Sequence, residues 1–363
     1  MAEESRVSTA VETPLNQMDL PIEQVRLQSS PYLAAGTSIP QVMYNVVAAM
    51  VPVTLWSFWA FGVQAIGVMA WSILFMLAFE YFFARFRHPH HEALRQTLDG
   101  SALVSGILLG LNLGPQSPWW IAMVGSLIAM GIAKHAYGGL GRNPFNPVLV
   151  GRVFLLISFP VQLTTWTAAK WVSREANPLQ NLDAVTSATP LGALKEGGWN
   201  KFLEAFSQTD LWNYVLFNKG GCLGDVSLFL LVIGGLYLLA RKIITWQIPF
   251  SYLAVVALIT GIMHLVDPLR YAHPLFHLAT GSLMLGAFFM ATDMVTSPVS
   301  GRGQLIFGAG CGLLTAAIRL WGSFPEGVSF AILIMNGLTP LIDKWSKPPL
   351  FGAAAQGKQE ARA

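Results

Sequence analysis

Long apolar runs without charge are the feature that most constrains this chain. Residues 43–61 carry no charged side chain, and neither do residues 304–317. A run of roughly 18 apolar residues is long enough to cross the hydrocarbon core of a bilayer. Only 11% of the residues are charged, whereas soluble domains have about 25%. The sequence therefore predicts an all-α polytopic membrane protein.

The apolar segments predict about ten transmembrane helices. Two of them are short and rich in Gly and Ser, which predicts broken helices. In chain order the predicted segments are 43–61, 63–84, 100–113, 118–136, 146–160, 226–240, 248–266, 276–291, 304–321 and 327–343.

Basic residues between the segments predict the orientation. The short connections on one side hold only Arg270, whereas those on the other side hold Arg85, Arg87, Arg95, Lys134, Arg142, Arg241, Lys242, Arg302, Lys344 and Lys347. Cytoplasmic loops are enriched in Lys and Arg. We therefore expect both termini in the cytoplasm and the long segment 161–225 on the outer face.

This topology divides the chain into five regions. We expect two five-helix bundles separated by an outer loop and flanked by cytoplasmic tails. The boundaries are 1–40 for the N-terminal tail, 41–160 for the first bundle, 161–225 for the loop, 226–345 for the second bundle and 346–363 for the C-terminal tail.

An internal repeat relates the two bundles. A single shift of the numbering, without a gap, superimposes Gly100-Ser101 on Gly281-Ser282 and Asn112 on Asp293, and the same shift pairs Gly131 with Gly312, Gly141 with Gly322 and Pro144 with Pro325. Because each bundle has an odd number of spans, the repeats are expected to be inverted, with the short helices meeting at a central pathway. Chance recurrence of Gly and Pro, which are common in membrane helices, is the alternative.

Acidic residues in or beside the spans are functional candidates, because charge is costly within a bilayer. Glu80 is expected to pair with Arg85 near the inner surface. Asp99 is expected to cap a helix. For Asp293, capping and a role in an ion path both stay open.

The outer loop contains Asp183, Thr186, Ser187, Ala188 and Thr189 within a stretch of small and polar residues. Pro190 disfavours helical backbone at Thr189 and so presents its hydroxyl on an extended or turn conformation. From spacing alone, an ordinary polar loop that caps the next helix is the favoured interpretation.

Four motifs resemble the RnfD/NqrB family, the flavin subunits of the Rnf complex and of the sodium-translocating NADH:quinone reductase. They are the segment 183–189, with Ser187 where the family usually has Gly, and the segments 139–147, 289–298 and 324–336. The resemblance extends from about residue 40 to residue 345, and the chain is most like the Rnf subunit.

The resemblance implies a subunit of a bacterial inner-membrane complex that couples ferredoxin/NAD electron transfer to Na⁺ or H⁺ movement. Thr189 is the implied attachment point of covalent FMN through a phosphoester, with Asp183, Thr186, Ser187 and Ala188 as the attachment motif. A flavin transferase, the other subunits and the bilayer are the implied partners, with no nucleic acid. The chain is expected to be inactive alone and to supply no catalytic residue.

A second, non-covalent flavin such as riboflavin is also permitted by the resemblance. Asn143, Asn146 and Arg152 are its candidate contacts; a loop-and-cap cluster with Arg152 reaching the inner headgroups is the alternative. No metal site is expected, because the His88, His90 and His91 cluster lies in a basic loop and lacks a complete ligand set. The rival function is a cofactor-free channel or transporter built on the same inverted repeat.

Overall fold

The computed structural model describes residues 38–165, 191–192, 194–195, 199, 221–322, 324 and 326–347. Within these residues the chain is helical and has no β-strand. The predicted all-α class is therefore confirmed. The attachment motif at 183–189 and most of both tails lie outside the described residues.

The first bundle contains seven named helices in chain order. Helix α5 continues directly into a π-helical segment, Ile128–His135. The helices are α1 (Ile39–Phe61), α2 (Val63–Arg85), α3 (His90–Thr97), α4 (Ser101–Leu111), α5 (Trp119–Leu127), α6 (Pro147–Ser158) and α7 (Pro160–Thr164).

The second bundle follows a 3₁₀ turn, Leu223–Val226. The very short helix α11 continues into a π-helical segment, Gly286–Met290. The helices are α8 (Leu228–Ala240), α9 (Gln247–Val266), α10 (Pro274–Ala279), α11 (Leu283–Leu285), α12 (Gly301–Trp321) and α13 (Val328–Trp345).

Polar side chains define several helix starts. The Asn146 side chain accepts hydrogen bonds from the backbone N–H groups of Val148 and Leu149, and Pro147 occupies the first turn of α6, where its missing N–H is harmless. Asp99 Oδ1 accepts from the Ser101 backbone N–H at 2.7 Å. Asp99 therefore accepts from the first residue of α4, as its predicted capping role requires, although Gly100 occupies the N-cap position.

All ten predicted segments are helical over most of their length, but segment 276–291 is divided into α10, α11 and a π-helical turn. Among the described residues, four helices are long and apolar enough to cross a membrane, namely α1, α2, α9 and α12, and α4, α6 and α8 are shorter apolar helices. Large apolar side chains such as Leu55 (59% exposed) and Leu265 (82% exposed) face outward. Such exposed apolar surface suits lipid rather than water.

The order of helices in the first bundle recurs in the second. Helix α6 begins at Pro147 and α13 at Val328, which are superimposed by the shift that defines the repeat. Helix α4 follows Gly100 (φ 91°), and α11 follows Gly281 (φ 71°) after one further residue, Ser282. This left-handed backbone favours glycine, so the two positions that the shift superimposes also share their local conformation.

Close helix packing explains the small residues of α4. A Cβ on Gly106 would lie 2.8 Å from the Ile73 Cα of α2, and one on Gly286 would meet Val328 Cγ1 of α13. Each glycine therefore packs within its own bundle. Neither glycine forms a contact between the two short helices.

The bundles meet elsewhere. A Cβ on Gly234 of α8 would lie 2.5 Å from the Ala49 carbonyl oxygen of α1. The Asn146 amide donates to the Met290 carbonyl at 3.3 Å across the same boundary. Small size at Gly234 thus permits direct contact between the backbones of the two bundles.

Gly234→Ala is expected to destabilise the protein by about 1–3 kcal/mol, because the new methyl group overpacks the contact with Ala49. Gly67→Ala is the matched control, since a Cβ there meets nothing within 4 Å. Thermal unfolding of the detergent-solubilised protein measures both. Equal unfolding temperatures would contradict this account of the boundary.

Candidate functional site

A buried arginine joins the two bundles. Arg152 of α6 is 6% exposed. Its Nη2 lies 2.9 Å from Glu326 Oε2, and its Nη1 donates to Asn112 Oδ1. Because Asn112 ends α4 and Glu326 precedes α13, this ion pair connects the first bundle to the second.

Further groups complete this site, which we call the Arg152 cluster. Ser282 Oγ donates to Glu326 Oε2 at 3.1 Å, and Arg152 Nη2 lies 3.6 Å from Cys222 Sγ. The ligand atoms of Cys222, Asp225 and Glu326 lie within 4.8 Å of one another. A guanidinium that already contacts two of these three groups supplies the positive charge, so the grouping is explained by pairing with Arg152 rather than by a metal ion.

A second buried site surrounds Glu80 on α2. Its carboxylate is fully buried and contacts Lys134 Nζ at 2.9 Å and His135 Nε2 at 3.0 Å. Lys134 also donates to Ser101 Oγ at 3.0 Å. The expected pairing of Glu80 with Arg85 is wrong, because the π-helical turn presents the consecutive residues Lys134 and His135 to the carboxylate inside the bundle.

A cavity of about 110 Å³ lies beside the Glu80 site, between α4 and the π-helical segment after α11. Its polar lining includes Lys134, Asn143, Asn146 and Asp293. Asn143 Oδ1 is buried and accepts no hydrogen bond from the described residues. Helix α4 and the π-helical segment after α11 thus face a common cavity, and neither Gly106 nor Gly286 is among its lining residues.

The structure separates the three residues grouped as contacts of a second flavin. Asn143 and Asn146 line the cavity, whereas Arg152 joins Glu326. Six residues of α-helix span about 9 Å, so Arg152 lies deeper in the bundle than the helix start at Asn146. Its guanidinium is buried against Glu326 and Asn112. The attachment residues 183–189 lie outside the described residues.

A basic pocket of about 190 Å³ lies close to the chain segment that follows this motif. It is lined by Leu191, Leu194, Lys195, Arg270, Tyr271, Ala272, His277, Arg319 and Leu320. The side chain of Leu191 is buried and packs in a small apolar cluster with Phe276 and Trp199. The residues after the motif are therefore anchored to the second bundle.

Sequence reasoning missed Glu326, His277 and Arg319 as site residues. Arg319 lies inside a predicted span, which is the signal that marked Arg152. Glu326 and His277 carried no comparable signal, because their partners are distant in the sequence.

Comparisons with known proteins agree with the motifs. The model of the NQR2, RnfD, RnfE family matches residues 26–352. The chain belongs to this family. Of the four motifs, 139–147 and 289–298 line the cavity and 324–336 supplies Glu326 to the Arg152 cluster, whereas 183–189 lies outside the described residues.

Several relatives in the family are similar over nearly their whole length. The D subunit of a proton-translocating ferredoxin:NAD⁺ oxidoreductase complex from Clostridium ljungdahlii is 41% identical, covering 90% of this chain and 96% of the relative. The D subunit of an ion-translocating oxidoreductase complex from Stutzerimonas stutzeri is 42% identical, with 89% and 94% covered. The D subunit of a Na⁺-translocating ferredoxin:NAD⁺ oxidoreductase complex from Acetobacterium woodii is 38% identical, with 96% and 100% covered.

Glu326→Ala is expected to destabilise the protein by about 3–5 kcal/mol, because it leaves Arg152 buried without its carboxylate. Glu92→Ala, at a half-exposed carboxylate that contacts His88, is the matched control and should change stability by less than about 1 kcal/mol. Thermal unfolding in detergent measures both.

The double variant Arg152→Met with Glu326→Leu should recover part of the lost stability, since no charge is left unpaired. If Glu326→Ala unfolds at the same temperature as Glu92→Ala, the ion pair does not hold the bundles together.

Proposed function

We propose that this chain is the D subunit of an ion-translocating ferredoxin:NAD⁺ oxidoreductase complex and that it carries FMN on Thr189. The observation that carries the proposal is the 183–189 motif in a chain of this family. The relatives named as the D subunit of such complexes support the assignment. The chain acts as one subunit of a redox-driven translocase and requires the other subunits for activity.

The covalent FMN would supply the electron transfer. The chain's own residues position it. Thr189 provides the hydroxyl for the phosphoester, and Asp183, Thr186, Ser187 and Ala188 form the sequence that a flavin transferase recognises. Leu191, packed two residues later, restricts how far the attached group moves from the second bundle.

A second, non-covalent flavin such as riboflavin is proposed for the cavity beside Lys134. Asn143 Oδ1 has no hydrogen-bond partner in the described part of the chain. This supports the placement, because a flavin has a ring N–H and ribityl hydroxyls that could donate to this oxygen. Asn146 caps α6 at the edge of the same cavity. Arg152 is left out of this site because it pairs with Glu326.

The membrane arrangement is proposed to be ten spans in two inverted repeats, with both termini in the cytoplasm. The recurrence of helix starts under one constant shift supports the repeat, and the basic residues between helices support the orientation. This topology puts the Thr189 flavin and the Arg152 cluster toward the outer face of the inner membrane. The cavity beside Lys134 lies toward the inner face.

Thr189→Val is expected to abolish the covalent flavin while the protein still inserts in the membrane, because valine keeps the shape and removes the hydroxyl. Flavin fluorescence of the denatured chain on a gel measures attachment. Thr186→Val tests the nearest alternative threonine and should leave a detectable signal, because the Thr189 hydroxyl remains. A fluorescent Thr189→Val chain would exclude this attachment residue, and a wild-type chain without fluorescence would favour the cofactor-free transporter.

A reporter that is active only in the cytoplasm is expected to work when fused after Ala363 and to fail when inserted near Ser187. The physical reason is the excess of Lys and Arg on the opposite side of the spans. Activity in whole cells, normalised to the amount of fusion protein, measures both. The reverse pattern would overturn the orientation and put the flavin loop in the cytoplasm.

A further inference from the structure

The basic pocket combines three cationic side chains in a small space. Lys195 and Arg270 lie at its exposed rim, and Arg319 is 6% exposed at its base. The structure describes no ion pair between any of the three and an acidic residue. Lys195 Nζ donates to the Phe324 carbonyl at 2.7 Å, and Arg270 lies 5.5 Å from the centre of the Tyr271 ring. The pocket is therefore suited to an anion.

Unused donors at the base strengthen this conclusion. Two of the Arg319 nitrogens donate to the carbonyls of His277 and Thr280, at 2.6 Å and 3.1 Å. The remaining Nε has no hydrogen-bond partner among the described residues. Neither ring nitrogen of His277 has one there either, although this side chain is only 2% exposed. Arg319 Nε is a buried donor without a described partner, and a neutral imidazole adds one N–H donor. Such unpaired donors are costly, so a ligand that accepts these hydrogen bonds would remove the penalty.

We propose that this pocket binds the phosphodiester that joins FMN to Thr189. The inference rests on the attachment proposed above and adds the groups that hold the cofactor. Leu191, which lines the pocket, is two residues after Thr189, and two residues of chain span at most about 7 Å. This short connection allows a phosphate on Thr189 to reach Arg319 and Arg270.

The charge of the ligand matches the donors. A phosphodiester carries one negative charge and two unesterified oxygens, which accept charge-assisted hydrogen bonds from guanidinium groups. A phospholipid headgroup has the same phosphodiester chemistry and reaches the outer surface of a membrane protein from the bilayer. We assign the pocket to the tethered phosphodiester because attachment at Thr189 gives it a high effective concentration.

The test uses the purified complex with the full chain, in which Lys195→Gln and Arg270→Gln are combined. Arg302→Gln, an exposed arginine at the start of α12 outside the pocket, is the matched control. In-gel flavin fluorescence first shows that attachment is unchanged in all chains. A soluble phosphodiesterase is then added to the native complex, and the released flavin is followed by fluorescence.

The expected result is flavin release roughly tenfold faster from the double variant than from the wild type, which corresponds to the loss of about 1.4 kcal/mol of binding. The Arg302→Gln chain should match the wild type. A flavinylated double variant that releases flavin at the wild-type rate would overturn the pocket assignment alone. Loss of FMN attachment in the double variant would also overturn the pocket assignment, because the pocket would then be needed by the transferase that attaches FMN. A wild-type chain without flavin would overturn both proposals.

A second arm identifies the source of the phosphodiester. Phosphorus that remains with the protein after extensive delipidation is measured in Thr189→Val and in Thr189→Val with Arg270→Gln. The proposal predicts the same phosphorus content in both. Loss of one phosphorus per chain with Arg270→Gln would show that the pocket holds a lipid headgroup instead.

Discussion

Charge buried in an apolar interior must be paired or hydrogen-bonded, and this constraint organises the molecule. Isolated ions are too costly to bury, so Glu80 and Arg152 each lie against a charged partner, whereas Arg319 donates to two backbone carbonyls. Glu80 contacts Lys134 and His135, while Arg152 contacts Glu326 from a position 174 residues earlier in the chain. The contacts of Glu80 connect helices within the first bundle. The Arg152–Glu326 ion pair joins the two bundles, which also meet through close backbone contacts such as the one at Gly234.

The same pairing decides where the polar sites lie. Lys134 is held between Glu80 and Ser101, and it lines the cavity in which we place a second flavin. Away from this cavity, Gly281 lies next to both the Arg152 cluster and the basic pocket. A Cβ there would lie 3.0 Å from Glu326 Oε1, 2.9 Å from Arg319 Nη2 and 2.8 Å from Leu191 Cδ1. Its left-handed backbone and missing side chain let the two polar sites share one wall.

Local sequence signals predicted the helices well, because the length of an apolar run and the residues at its ends act over a few turns. Asn146 with Pro147 began α6, and Asp99 capped α4, as such residues commonly do. Signals that require a partner far along the chain were less informative. The small size of Gly106 and Gly286 does indicate close helix packing. The helices that they contact belong to their own bundles, however, and a glycine in a sequence does not specify which helix packs against it.

The sequence by itself determined the helical class, most helix boundaries, the constant spacing of the repeat and the family motifs, since each is encoded in composition or local order. Only the tertiary structure decided that Glu80 pairs with Lys134 rather than with Arg85. It also decided that Arg152 pairs with Glu326 and lies apart from Asn143 and Asn146. The tertiary structure also places Lys195, Arg270, His277 and Arg319 in one pocket with Leu191. The physical reason is that a buried charge takes the partner that packing brings within hydrogen-bond distance, and that partner is set by how the bundles fold together rather than by nearness in the chain.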